Sequence, residues 1–532
     1  MSAAETRGAH PTEDAPSHRG NVVSTAVVMA STFASRLLGF VRIAVIGAVF
    51  GASGNADVLN LVFNIPNNLR KLLAEGALSS AFVPVLSRAH VEDASGMRSK
   101  GIVRRLLGLQ LLILVPALVL AAMFPHAIVD VILDFPEPDR QQLAGDLFRY
   151  LIHYVLLISM AAVFMGTLNS HHRFLVPAVA PLWFSVAVIG SVLALHQRLG
   201  VYSMVVGVLV GGIGQLAIQV PPVLRRGYSL TPRFDFRDPH FLTIVRHWLP
   251  VVSTASVFAI NQQIALLFAS GLADGSGSAM TNALVFWQLP FGIFSASITT
   301  VLFPAMSRYY AEGNLPDLRR TVTSGLRGLI LLLVPSGVAL IALGEPLIAV
   351  ALQRGAFSRQ ATVMAAQVLT WYSVGLFSVG AFTFLQRFFY ACGDYRTPLW
   401  IATVTMVLDV ALSLWLKETA LGVAGLSLAN SLAFTVGVGL MLARVRHIAG
   451  AADLVSLLPA ALRAALATLA ALAALAAVRA AFAAAGLTGW YRSGSSLTAF
   501  GLLMAEAIPA AVALWAAYAA MGIRVRHVMR GH

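Results

Sequence analysis

The chain has 532 residues, of which 58% are hydrophobic and 11% are charged, and its mean hydropathy is +0.79. A soluble domain exposes far more charge, so the composition excludes one and indicates a protein whose solvent is lipid. The formal net charge of +14 does not indicate binding to nucleic acid, because the basic residues stand in short segments between apolar stretches. The single cysteine, Cys392, excludes an internal disulfide and a cysteine-rich metal site.

Residues 1–21 are polar and lack the apolar core of a signal peptide, so we expect a short cytoplasmic tail. Apolar windows of about 20 residues follow, the helix length that crosses a hydrocarbon core of about 30 Å. The predicted spans begin near Val22, Ala56, Ile102, Leu147, Phe174, Val201, Phe241, Met280, Val322, Met364, Pro398, Val423, Leu458 and Leu497. We therefore predict an all-α integral membrane protein with about fourteen transmembrane helices.

The positions of Lys and Arg give the orientation of these spans. Basic residues follow the second, sixth and eighth spans, whereas segments 51–55 and 272–278 contain none and acids dominate 125–146. Because cytoplasmic loops carry the excess of positive charge, we expect both termini on the cytoplasmic side of a bacterial inner membrane.

Two short motifs recur at nearly one offset along the chain. Residues 82–88 (FVPVLSR) match 302–308 (LFPAMSR) after 220 residues, and 168–177 resemble 389–398 after 221 residues. This offset covers about six spans, an even number, so the repeat is parallel and places a site between two lobes. The predicted organisation is a six-helix lobe at 22–222, a cytoplasmic connector at 223–240, a second six-helix lobe at 241–447, and two extra helices with a basic tail at 448–532.

Charged residues inside spans are costly and often mark function. The first span carries Arg36 and Arg42, about 120° apart on an ideal helix, so a bend at Gly39 or the curvature of a cavity wall must reconcile them if both touch one ligand. The second span carries a polar stripe that we expect to line water, with Arg70 beside it. The candidate substrate-binding residues are Arg36, Arg42, Asp57, Arg70, Lys71 and Glu75, and Asn60, Asn64 and Asn67 complete the stripe.

The matching stretch of the second half, 282–300, is polar but uncharged. The predicted cavity is thus positive on its N-terminal side, and the planar guanidinium of arginine suits a diphosphate or another polyanion. Two alternatives stay open: the arginines could reach toward lipid headgroups or pair with Asp57 and Glu75, and Lys71 could pair with Glu75 four residues away.

Asp409 is the one acid of the eleventh span. It could bind a coupling cation or a proton together with Thr405, Asn261 or Asn430. A buried structural aspartate is the equal alternative. We expect no metal and no cofactor.

Several motifs resemble the MurJ (MviN) family. They are SRLLGF at 35–40, IPNNLR at 65–70, AEGALSSAFVP at 74–84, GTLN at 166–169 and PRFDF at 232–236. This family of lipid II flippases belongs to the multidrug/oligosaccharidyl-lipid/polysaccharide exporter superfamily. The resemblance extends over essentially all spans and is most specific at 74–84.

The resemblance implies a V-shaped, two-lobe transporter that works by alternating access. It implies that Arg36, Arg42, Asp57 and Arg70 occupy cavity positions that bind the undecaprenyl-diphosphate-linked muropeptide, lipid II. The last two helices would hold the polyprenyl tail. Coupling to the membrane potential, Na⁺ or H⁺ is also implied, as are contacts with membrane lipids and with cell-wall synthesis proteins.

Two positions depart from the family pattern. Ile43 stands where an aspartate usually follows the arginine matched by Arg42, and Val285 stands where a cavity arginine usually precedes the proline matched by Pro290. These departures fit a divergent flippase whose contacts with the substrate headgroup differ, or a paralogue that carries another lipid-linked substrate.

Three other functions compete with a flippase. An exporter of another polyprenyl-linked saccharide or of a drug would share the fold, but a cationic drug requires acids in the cavity. A polyprenyl-phosphate enzyme requires an acidic metal-binding cluster, and no Asp-x-Asp occurs in the chain. A non-transporting scaffold for cell-wall enzymes would tolerate loss of the cavity arginines.

Overall fold

The computed structural model describes residues 18–73, 82, 85, 86, 88, 89, 92, 93, 96–171, 173–449, 455–494 and 496–523. Almost all of these residues are helical, and no strand occurs among them. The predicted all-α fold class is therefore confirmed.

The N-terminal lobe contains nine helices in the described part of the chain. They are α1 (His18–Phe50), α2 (Asn55–Leu73), α3 (Met97–Met123), α4 (Pro125–Ile132), α5 (Pro138–Leu151), α6 (Tyr154–Ser170), α7 (Leu175–Leu199), α8 (Tyr202–Ala217) and α9 (Val220–Leu224). Their buried residues, such as Leu59, Leu107 and Phe164, form one continuous apolar core.

The C-terminal lobe has a core of its own, centred on Phe286, Leu329 and Phe388. A π-helical turn, Phe291–Ser295, joins the helix Ser276–Pro290 to the helix Ala296–Ala311. The helices are α10 (Pro239–Ser270), α11 (Ser276–Pro290), α12 (Ala296–Ala311), α13 (Leu315–Leu352), α14 (Arg359–Val374), α15 (Leu376–Ala391), α16 (Arg396–Leu416) and α17 (Val423–Ala449).

Two further helices, α18 (Leu458–Ala484) and α19 (Leu497–Ala520), pack against α13. Small residues of α18, Ala460 and Ala464, are buried beside Leu331, and the Tyr518 hydroxyl donates to the Leu331 carbonyl at 2.6 Å. Alanines allow the close approach of helices that packing in lipid requires.

Eleven helices of the described part are long and apolar enough to cross a membrane, or twelve if the bent pair α14 and α15 forms one span. The helices α1 and α2, with 33 and 19 residues, lie outside that set. The protein is a multi-pass membrane protein, and the expected count of about fourteen spans is approximate.

The lobes touch where the sequence predicts the periplasmic side. Ala356 N–H donates to the Ala48 carbonyl at 2.8 Å, and Asp134 N–H donates to Ser270 Oγ at 2.7 Å. These contacts join the ends of α1 and α4 to the ends of α13 and α10, so the two lobes meet at the membrane face opposite the connector.

The connector, residues 223–240, is docked on the first turns of α3. Buried Arg105 reaches Asp235 at 3.3 Å and Asp238 at 3.2 Å, and Arg233 N–H donates to the Arg104 carbonyl at 2.9 Å. The backbone N–H of Arg237 and the guanidinium of Arg105 lower the pKa of Asp235. The connector therefore fixes the start of α10 to the N-terminal lobe.

Candidate functional site

A polar cavity lies between the two lobes. Two adjoining chambers of about 240 Å³ and about 440 Å³ share Arg42, Phe63, Asn67 and Arg70 in their walls. The smaller chamber faces α11, and the larger one faces α6 and α7. The cavity therefore joins side chains from both halves of the repeat.

Three arginines line this cavity. Arg42 lies over the Phe184 ring, 5.1 Å from its centroid, and its Nη1 donates to Ser185 Oγ at 3.4 Å. Arg70 Nε donates to Asn67 Oδ1 at 3.1 Å. Arg36 is exposed in the larger chamber. These contacts hold the side chains of Arg42 and Arg70 at the cavity wall.

Arg36 and Arg42 reach the same chamber without a break in their helix. Helix α1 is continuous from His18 to Phe50, and both side chains line the larger chamber. Both arginines therefore reach one chamber from a single uninterrupted helix.

The wall from the C-terminal lobe is polar and uncharged. It presents Gln262, Thr281, Asn282 and Gln288, with Val285 among them. Ile43 lines the same chamber from α1. Ile43 and Val285, the two positions that depart from the MurJ pattern, therefore line the same chamber. The positively charged side chains of the cavity come from the N-terminal lobe.

Asp57 has a different place from the one expected for a substrate-binding residue. It is 3% exposed, its Oδ1 accepts the Ser278 backbone N–H at 2.5 Å, and its Oδ2 accepts the Gly275 N–H at 3.2 Å. Helix α11 begins beside a glycine with no side chain to cap its free N–H groups, so Asp57 of the other lobe caps it. In this conformation Asp57 is a capping group between the lobes and not a cavity-lining group.

A second carboxylate makes the reciprocal contact. Asp274 of the C-terminal lobe accepts the Gly54 N–H at 2.8 and 3.0 Å with its two oxygens, and it pairs with Arg140 at 2.8 Å. Gly54 and Asp274 are 220 residues apart, the offset of the sequence repeat. Equivalent residues of the two repeats can contact each other only near the symmetry axis that relates the lobes. The contact between Gly54 and Asp274 therefore lies near that axis.

The polar stripe of α2 divides into two parts. Near the start of α2, Asn60 Nδ2 donates to Ser278 Oγ at 2.9 Å and Asn64 Nδ2 donates to Thr281 Oγ1 at 3.0 Å. Both asparagines nevertheless line the smaller chamber, and Asn67 lines both chambers. The cavity therefore follows the stripe from Asn60 to Asn67, whereas Asp57 is buried against α11. The side chain of Lys71 and all of Glu75 lie outside the described residues.

The polar cluster around Asp409 is assembled as expected from three helices. Asp409 Oδ2 accepts Asn261 Nδ2 at 2.7 Å and Asn430 Nδ2 at 2.8 Å, and Ser413 Oγ lies 3.4 Å from Oδ1. Asp409 is 4% exposed. Thr405 is buried and donates to the Ile401 carbonyl, so its hydroxyl is not a partner of the carboxylate.

Sequence reasoning missed several cavity residues. Tyr154, Ser185 and Gln215 line the larger chamber, and Gln262 and Asn282 line the smaller one. The amide of Gln215 and the amide run Asn261–Gln263 stand within apolar spans, and amides in such spans are the signal that could have revealed Gln215 and Gln262.

Comparison with known proteins identifies the family. The sequence profile described as "Lipid II flippase MurJ" matches residues 46–499. The chain belongs to the MurJ family. Among its relatives, the probable lipid II flippase MurJ of Borreliella burgdorferi is 35% identical over 415 residues, which cover 78% of this chain and 81% of the relative. The lipid II flippase MurJ of Burkholderia cenocepacia is 29% identical and covers 77% and 80%.

Solved structures show the same fold. A structure titled "Lipid II flippase MurJ, inward closed conformation" superposes with a TM-score of 0.75 at 23% identity, covering 93% of this chain and 98% of that one. An inward-facing multidrug transporter of the MOP superfamily gives a TM-score of 0.67 at 14% identity, covering 81% and 98%. The superposition with the multidrug transporter covers nearly all of that protein but only 81% of this chain. This difference in coverage agrees with two helices added to a shared two-lobe fold.

Proposed function

We propose that this protein is a lipid II flippase. It moves the undecaprenyl-diphosphate-linked muropeptide from the inner to the outer leaflet of the cytoplasmic membrane by alternating access, and it is a transporter and not an enzyme. The observation that carries the proposal is the convergence of Arg36, Arg42 and Arg70 on one chamber of the N-terminal lobe, which adjoins a chamber lined by both lobes, in a member of the MurJ family.

The arginines account for headgroup binding. A diphosphate offers pairs of oxygens that match the fork of a guanidinium, and charge-assisted hydrogen bonds of this kind are about twice as strong as neutral ones. Amides on the facing wall, such as Asn282 and Gln288, offer donors and acceptors to sugar and peptide groups. The polyprenyl tail stays in lipid beside α18 and α19, the pair that the resemblance assigns to it.

Closure at the periplasmic side accounts for the direction of access. Asp57 and Asp274 each cross the lobe boundary to backbone N–H groups, so separation of the lobes there breaks both contacts at once. We infer that the substrate enters from the cytoplasmic leaflet and leaves when these contacts open.

The cluster of Asp409, Asn261 and Asn430 is our proposed coupling site. One carboxylate with amide oxygens in reach can bind Na⁺ after the amide groups turn, or Asp409 can take up a proton. Each charge that crosses the membrane with the transported species gains or loses about 2.3 kcal/mol per 100 mV of membrane potential. We also infer a bacterial cytoplasmic membrane with both termini in the cytoplasm, and we expect cell-wall synthesis proteins to be neighbours.

Binding to the purified protein tests the substrate. In native mass spectrometry, we expect lipid II to bind more tightly than undecaprenyl phosphate and the cation ethidium not to compete. Arg42→Ala should weaken lipid II binding at least about tenfold, as loss of a charge-assisted contact predicts. Arg198→Ala is the matched control, because Arg198 is exposed at the far end of α7. Equal binding of ethidium and lipid II would favour a drug exporter instead.

A further inference from the structure

Arg42 rests on an aromatic ring at the wall of the larger chamber. Its guanidinium carbon lies 5.1 Å from the centre of the Phe184 ring, and its Nη1 donates to Ser185 Oγ at 3.4 Å. Neither contact is an ion pair. A cation over the face of a ring is attracted by the ring's quadrupole, and this attraction does not use the N–H groups of the cation. The Phe184 ring therefore holds the guanidinium and leaves its donors for an anion.

The position of Arg42 matters because a second cation shares its chambers. Arg42 and Arg70 line both of them, and like charges that share a cavity of low dielectric constant repel each other. An arginine side chain also has many rotamers, so without a support Arg42 would occupy several of them. A support that keeps both guanidiniums at one chamber allows a diphosphate to engage them together.

The Phe184 ring is itself fixed by a second ring. It is 7% exposed, and its centre lies 5.1 Å from the centre of the Tyr154 ring, at an interplanar angle of 32°. Tyr154 is also buried. Aromatic rings at this separation attract each other beyond the effect of their burial. Two buried rings, one from α6 and one from α7, thus form an aromatic platform for Arg42.

Two neighbouring glycines of α8 make room for this platform. A Cβ at Gly211 would lie 2.8 Å from Cδ2 of Phe184. A Cβ at Gly212 would lie 2.9 Å from Cδ2 of Tyr154. In a close-packed interior either contact would force a shift of the ring, whereas a Cβ at Gly190 of α7 would meet open space. The place of each ring therefore depends on its own glycine.

We propose that Phe184 is the positioning residue for Arg42. The ring fixes the guanidinium at the chamber wall before the substrate arrives, so the substrate does not have to order this side chain on binding. The glycine pair of α8 in turn fixes the platform. The identity of the anion as a diphosphate rests on the function proposed above, and the support of Arg42 by the ring rests on the geometry alone.

A fluorine series at position 184 tests this role. Fluorine withdraws electron density from the ring face with little change in ring size, so phenylalanines with one, two and three ring fluorines should weaken a cation–π contact stepwise. In the full-length protein in nanodiscs, we expect the Kd for lipid II to rise with each fluorine, by about twofold to thirtyfold over the series. The same series at Phe124, which is 53% exposed at the end of α3, is the control. A ring with a purely steric role would give no trend.

Ordinary substitutions test whether Phe184 acts through Arg42. Phe184→Leu should weaken lipid II binding in the native background and should have no further effect in Arg42→Ala. Gly211→Ala should also weaken binding, because the new methyl group displaces the Phe184 ring. Gly190→Ala is the matched control and should leave the Kd unchanged, since its methyl group meets open space.

Inorganic pyrophosphate is measured beside lipid II, so that two kinds of failure can be told apart. A fluorine trend for pyrophosphate in a protein that does not bind lipid II would reject the flippase function and keep the role of Phe184. Lipid II binding that is constant throughout the series would overturn that role, as would an equal loss from Phe184→Leu with and without Arg42. Binding of neither ligand would reject both.

Discussion

Asp57 Oδ1 accepts the backbone N–H of Ser278 at 2.5 Å across the boundary between the lobes. The carboxylate comes from α2 and the N–H from the first turn of α11, so a helix cap doubles as an interlobe contact. Separation of the lobes on this side would break this contact together with the contact of Asp274 with Gly54.

Replacing this carboxylate should favour the state in which the lobes separate on this side. Both oxygens of Asp57 accept N–H groups, so Asp57→Asn sets an amide NH₂ against the Gly275 N–H. A lost cap costs about 0.5–2 kcal/mol, which shifts the ratio of closed to open by about twofold to thirtyfold. Spin labels at Asp139→Cys and Glu418→Cys, in exposed segments on the two lobes, measure the distance across this side.

Asp394→Asn is the matched control for that change. Asp394 Oδ1 caps Arg396 N–H and Thr397 N–H at 3.0 Å within one lobe. Its replacement should cost similar stability and leave the interlobe distance unchanged. A distance that changes equally in both variants would show that the effect is general destabilisation.

The two departures from the family should behave as a coupled pair. Ile43 and Val285 line one chamber beside Arg42, where Val285→Arg alone adds like charge and Ile43→Asp alone adds an acid near the substrate site. The double variant adds both charges, so we expect a favourable coupling of about 0.5–3 kcal/mol in the thermal stability cycle. Additive effects of the two changes would show that these positions act independently.

The Asp409 cluster should respond to a specific cation. If it binds Na⁺, thermal stability should rise with Na⁺ at constant ionic strength and not with K⁺, and Asp409→Asn should abolish the difference. Asp317→Asn, at the exposed start of α13, is the control. Equal effects of both salts on the native protein would exclude a selective Na⁺ site and leave the proton as the coupling ion.

Docking of the connector should depend on Arg105 and on pH. Arg105→Ala leaves Asp235 and Asp238 without their buried partner, so hydrogen exchange at the Arg233 N–H should speed up, whereas Arg308→Ala should not change it.

The stability of the docked connector should also depend on pH through Asp235, whose pKa is lowered. The contribution of Asp235 to that stability is complete above the ordinary carboxyl pKa of about 4 and is lost as the pH falls through the lowered value. Protection that rises on acidification would contradict this account.

The sequence predicted the helices well and the contacts of their polar residues less well. Starts such as Val201, Val423 and Leu458 fall within a residue of helices α8, α17 and α18, because apolar length is a local property. The meeting of Asp409 with Asn261 and Asn430 was also predictable, since an acid in an apolar span needs buried partners.

The role of Asp57 could not be read from its own helix. Its spacing from Asn60 and Asn64 places all three on one face, but only the tertiary structure shows that the start of α11 packs against that face near Asp57. The same holds for the pair of Arg36 and Arg42, whose angle on a helix suggests separation although a wide cavity admits both. The helical period shows which residues share a face of one helix, and only the packing of the helices shows what that face contacts.

The most direct measurement is the exposure of lipid II on the outer face of the host cell membrane. After depletion of the native protein, in a host without another flippase, we predict that lipid II becomes inaccessible from outside. Arg198→Ala should restore access, and the double variant Arg42→Ala and Arg70→Ala should not, at equal abundance in the membrane. Lipid II that stays accessible after depletion, or full rescue by the double variant, would contradict transport through this cavity.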